Sequence, residues 1–156
     1  MTGYSQSGRI AGYALLAVAL GSALVPLLPF AEALPVWKHH LVHALILALA
    51  STSGILLAHI GSRTAAEQSE AGPGFWVVLC VLAPAVSMFL MWPTTYDWVE
   101  HYPLAHGAEH FCFVGLGFLA GFGGERYVRG VGWVSAAATV LTAIAAAAGF
   151  GVMAER

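Results

Sequence analysis

The stretch Leu41–Ile60, LVHALILALASTSGILLAHI, has no Asp, Glu, Lys or Arg in twenty consecutive residues. Twenty predominantly apolar residues in a helix match the hydrocarbon thickness of a bilayer. Four other stretches have the same character: Ile10–Phe30, Phe75–Trp92, Leu104–Phe122 and Val131–Val152. Most of the charge lies between them. The pattern predicts an all-α integral membrane bundle of five transmembrane helices, forming one domain over residues 1–156.

The composition agrees. The chain is 59% hydrophobic and only 9% charged, where soluble domains carry roughly 25% charge. So few charges cannot cover a water-facing surface, whereas a lipid-facing surface needs none. The net charge of −2 comes with no basic patch, which argues against nucleic acid as a partner. Cys80 and Cys112 both lie inside apolar runs and read as small core residues, not as a disulfide framework. The segment Ala31-Glu32-Ala33 resembles a signal-peptide cleavage site, but the apolar run before it exceeds the usual ~7–15 residues. It reads as a retained helix.

Pro35, Pro93 and Pro103 mark helix ends, and Gly72-Pro73-Gly74 leads into the third span. Ser62–Gly72 is the one clearly soluble loop. Pro26, Pro29 and Pro84 fall inside spans, where neighbouring helices must satisfy the freed backbone groups. Five spans place Arg9, Arg63, Arg126 and Arg129 on one side, against Lys38 and Arg156 on the other. By the positive-inside rule the first side is cytoplasmic, giving N-in, C-out. Trp37, Trp92 and Trp98 then belong to an outer aromatic belt, and Trp76 and Trp133 to an inner one.

Two segments repeat a pattern. After Pro35 comes His39-His40-Leu41-Val42-His43, and after Pro103 comes His106-Gly107-Ala108-Glu109-His110. Each opens a span with H-x-x-x-H, and each follows an acidic residue, Glu32 or Glu100. Residues four apart share a helix face about 6 Å apart along the axis. The second and fourth spans run in the same direction, so both pairs lie at the outer membrane face. If the two helices pack together, His39, His43, His106 and His110 converge on one site. Gly115, Gly117 and Gly121, facing Ser51, Ser53 and Gly54, would permit that approach.

Ionisable residues inside a membrane are costly and usually functional. Four converging imidazoles suit one or two copper ions, or zinc. Met88 and Met91 of the third span reach the same face as possible soft ligands, although packing is the better explanation of them. Glu109 would orient a ligand or move protons, or serve the helix dipole. Cys112 lies about 200° round the helix from His110 and points elsewhere. His40, His59 and His101 read as interfacial polar residues. An alternative is haem b held by His43 and His110, in a haem- or quinone-linked electron-transfer subunit. A further alternative is a structural subunit, with the alanine-rich Ala136–Ala148 as a packing face. No nucleophile elbow, H-E-x-x-H or phosphate loop is present, so a binding or accessory role fits better than an enzymatic one.

The segment His106–Leu119 (HGAEHFCFVGLGFL) resembles the caa3-type cytochrome oxidase assembly factor family, CtaG, whose H-x-x-x-H is followed by aromatics and a glycine in an apolar helix. His39–Leu47 is similar to that family's first H-x-x-x-H helix. A set of small prokaryotic membrane proteins with paired H-x-x-x-H helices is similar too. The resemblance covers about half of the chain. It implies a multi-pass protein of the prokaryotic inner membrane, linked to copper delivery or to assembly of a haem–copper oxidase. Its partners would be other subunits of a respiratory or oxygenase complex.

Overall fold

The computed structural model describes residues 6–25, 35–58, 73–127 and 129–151. All elements among them are helical: α1 (Gln6–Leu24), α2 (Val36–Ala58), α3 (Pro73–Leu90), α4 (Pro93–Glu100), α5 (Pro103–Tyr127) and α6 (Val131–Ala146). Ala147–Gly151 continues α6 as a wider π turn. Pro26, Pro29, Glu32, His59, Ser62–Gly72 and Val152 lie outside the described residues.

The bundle is organised by the close approach of α2 and α5, its most extensive helix pair. A Cβ on Gly117 would stand 2.8 Å from the Leu47 carbonyl oxygen, and one on Gly121 would stand 2.9 Å from the Ser51 carbonyl carbon. On the other helix, a Cβ on Gly54 would meet the backbone nitrogen of Phe122 at 2.7 Å. Without a hydrophobic force between helices in lipid, such backbone approach is the main source of packing energy. Gly115 is not part of this seam, because nothing lies within 4 Å of its missing Cβ. Ser53 turns the other way and donates to the Gly12 carbonyl of α1 at 2.8 Å.

The two helices are parallel. Cross-helix contacts pair His39 with His106, His43 with His110 and Ala58 with Arg126, at separations of 67, 67 and 68 residues. Only parallel helices keep a constant offset. The repeat seen in the sequence is therefore also the register of the pair.

The other helices complete the frame. α1 packs on α2, α6 packs on α2 and α5, and α3 packs on α5 and α6. Gly130, at φ +91°, makes the turn between α5 and α6, and its backbone N–H donates to Glu125 Oε2 at 2.9 Å. Pro84 sits inside α3 and has no N–H for the Cys80 carbonyl four residues earlier. The Ser135 hydroxyl of α6 donates to that carbonyl at 3.3 Å. A neighbouring helix thus repairs the proline defect, an interaction worth about 0.5–1.5 kcal/mol.

Three of these helical segments are long and apolar enough to cross a membrane: Gln6–Leu24, Val36–Ala58 and Val131–Gly149. The apolar part of α3, Cys80–Leu90, is shorter. In α5 the polar residues His106, Glu109 and His110 fall within the first turns, but they are buried against the bundle. Meanwhile Leu104, Phe89, Val81, Val134 and Leu141 are exposed. Polar groups inside and large apolar groups outside is the arrangement a lipid bilayer selects.

Neither cysteine is a core residue. Cys80 is half-buried and Cys112 is exposed, and both are free thiols. Cys112 does point away from His110, as the helical angle predicts.

Candidate metal centre

Two prolines shape the entrance to the site. Trp92 is extended (φ −64°, ψ 135°), the conformation required of a residue before proline, and Pro93 then opens α4. This short helix, which sequence punctuation alone marks as a loop, ends at Glu100. The chain then turns through Tyr102, whose carbonyl accepts from the His106 N–H at 2.9 Å as α5 begins. The turn folds α4 back over the N-terminal ends of α2 and α5.

All four imidazoles of the two H-x-x-x-H pairs converge there. His43 Nε2 lies 3.0 Å from His110 Nε2, and His39 Nε2 lies 3.2 Å from His106 Nε2. His43 and His110 are fully buried, and His39 and His106 are 5% and 8% exposed. Along each helix the rings are 4.7 Å apart, both for His39–His43 and for His106–His110. The Phe113 ring closes the floor, 4.4 Å from His43.

One tautomer follows from chemistry. His110 Nδ1 lies 2.9 Å from the His106 carbonyl oxygen. A carbonyl only accepts, so Nδ1 carries the proton and donates it. Neutral His110 then presents an unshared pair at Nε2, toward His43. A ring N–H anchored to a backbone carbonyl is the usual support of a metal-ligating histidine.

Two carboxylates join the imidazoles. Glu109 is buried, and its Oε2 lies 4.0 Å from His43 Nε2. Glu100 Oε1 lies 3.4 Å from His106 Nε2 and 3.7 Å from His39 Nε2. Neither Glu109 oxygen has a hydrogen-bond partner, nor do Glu100 Oε1 and His43 Nδ1. Buried polar atoms left without partners are costly, at roughly 1–3 kcal/mol each. A cation among them would satisfy the carboxylate oxygens at once. Ligand atoms within 4.8 Å of one another form three sets: His39, His43 and His110; His39, Glu100 and His106; and His106, Glu109 and His110.

Other candidates fall differently. Met91 is fully buried in the apolar cluster with Phe113 and Ala44, and Met88 is 37% exposed. Packing accounts for the first, and the second faces outward. His101 is exposed beside Asp97. His40 departs from the interfacial role expected of it: it is 1% exposed, 4.7 Å from the Tyr96 ring and 5.8 Å from His43. Its i,i+3 spacing to His43 carried that signal. Tyr96 and Glu100 were not readable as site residues, because α4 brings them in from outside both motifs. Burial, and then the charge of Glu100, push the Tyr96 hydroxyl well above its usual range, so it stays protonated.

Comparison with known proteins finds no matching family model, no similar curated protein and no similar solved structure.

Proposed function

We propose that this chain is a five-span membrane protein, N-in and C-out in a prokaryotic inner membrane. It carries a transition-metal centre beneath the outer headgroups and serves copper handling or assembly of a haem–copper oxidase. The observation carrying the metal reading is the pair of buried cross-helix imidazole contacts, His43–His110 and His39–His106, with unpartnered carboxylates beside them. Two nitrogens bound to one tetrahedral ion at ordinary bond lengths stand about 3.3 Å apart. The observed 3.0 and 3.2 Å are close to that spacing.

Haem b is less well supported. Axial nitrogens on opposite sides of one iron stand about 4 Å apart with a macrocycle between them. His43 and His110 are closer than that, and their ring centroids are only 4.7 Å apart. The copper and oxidase assignments rest on the resemblance of the two H-x-x-x-H segments and on imidazole chemistry.

Elemental analysis and a visible spectrum of one detergent-purified sample test the reading. A transition metal at stoichiometric level, without Soret or alpha bands, is expected. A metal-free, colourless protein would leave only a structural subunit. The orientation is tested by thiol labelling in a background with Cys80 and Cys112 replaced by alanine. A cysteine at the exposed position of Asp97 should react with an impermeant maleimide from outside. One at Arg129 should react only after lysis, and the reverse pattern would invert the topology.

A further inference from the structure

By their cross-helix contacts the four imidazoles and two carboxylates fall into two rungs. The inner rung is His43, His110 and Glu109. The outer rung is His39, His106 and Glu100. Each takes one imidazole from α2, one from α5 and one carboxylate. We propose that the site is dinuclear, each rung holding one divalent first-row metal ion through two histidines and one glutamate. This rests on the metal reading above and deepens it.

Three observations carry it. First, the cross-helix Nε2 contacts of 3.0 and 3.2 Å are separate, one per rung, and the rungs are offset by one helical turn. The ring-centroid spacing along both helices is 4.7 Å. Two-metal centres hold their ions about 3.5–4 Å apart, so this offset is near the spacing needed. Second, each rung has its own carboxylate, and the two come from different helices. Glu109 is part of α5 and is 3% exposed, whereas Glu100 ends α4 and covers the outer pair. Each ion would then have one carboxylate within reach, Glu109 for the inner pair and Glu100 for the outer. Third, the acceptors without partners are shared between the rungs: both oxygens of Glu109 within, and Oε1 of Glu100 without.

The donor set also selects the ion. Imidazole with carboxylate suits divalent iron, zinc, manganese or copper, while thioether sulfur selects cuprous ion. Met91 packs in the apolar cluster and Met88 is exposed, so the close donors are imidazole and carboxylate, and divalent ions are the expected occupants. Tyr96 lies beside the outer rung, its ring 5.6 Å from that of His39.

The test is copper(II) titration of metal-stripped, detergent-solubilised full-length protein, followed by equilibrium dialysis and electron paramagnetic resonance. Wild type should retain two ions per chain, with a spectrum broadened by coupling between near neighbours. Glu100→Gln and Glu109→Gln should each retain one ion, with the uncoupled spectrum of an isolated centre. His101→Ala, which alters an exposed histidine, should retain two coupled ions. One ion in wild type and in both glutamate variants would overturn the dinuclear assignment and leave the metal reading standing. Two ions that persist in both glutamate variants would also overturn it. No tightly held ion in wild type would remove the metal reading itself. Helix content and elution volume of each variant, unchanged from wild type, separate ligand loss from misfolding.

Discussion

The diagonal variant His39→Ala/His110→Ala should retain less than about a tenth of the wild-type metal. It removes one imidazole from each cross-helix pair and two of the three ligands in the His39–His43–His110 set. What remains at either level is one histidine and one carboxylate. Protein metal sites ordinarily supply at least three protein ligands, so neither remnant should hold an ion through purification. Each of the three close ligand sets loses at least one member, so the loss is expected for one ion as for two. The conservative pair His39→Gln/His110→Gln keeps most of the volume and polarity, and so guards against collapse of the packing around Phe113. Elemental analysis at matched helix content is the measurement. Wild-type metal content in both variants would sink the assignment of these imidazoles as ligands.

The second large effect is expected far from any ligand. Gly121→Ala places a methyl group against the backbone of Ser51, with 2.9 Å to its carbonyl carbon. Backbone cannot rotate away as a side chain can, so α2 and α5 must separate. Overpacking of this kind costs about 1–3 kcal/mol. The same separation spreads both imidazole pairs, because they lie on the same seam. Metal affinity should fall by about tenfold or more, and the thermal unfolding midpoint should drop by several degrees. Gly115→Ala is the internal control, since its Cβ would meet nothing within 4 Å. A Gly121→Ala protein that matches wild type in both measurements would show that this close approach does not hold the site together.

The contrast between Gly115 and Gly121 shows how much of the site the sequence carries. Both are glycines in the same apolar helix, spaced so that either could serve a packing seam. Composition does not distinguish them. The α2–α5 register does, because it places Ser51 opposite Gly121 and nothing opposite Gly115. The serines behave likewise: Ser51 lies on the α5 seam, while Ser53 bonds to α1. Pro84 shows the reverse case. A buried proline announces an orphan carbonyl, and the structure adds only that Ser135 supplies the donor.

What the sequence determined by itself was local and periodic. Apolar runs of bilayer length specify helices, and i,i+4 spacing puts His39 with His43 and His106 with His110 on common faces. The repeated motif even contains the pairing, since the offset between its copies equals the 67-residue separation of the contacting imidazoles. Tertiary structure alone decided that Glu100 and Tyr96 stand beside the imidazoles, that His40 is buried next to them, and that Met91 is buried in the apolar cluster while Met88 is exposed. The physical reason is that helical periodicity fixes directions around one axis only. Where a second helix meets that face depends on turn dihedrals at Trp92–Pro93 and Tyr102–Pro103, and on glycine contacts between distant segments. Those constraints act between residues with no periodic relation to one another.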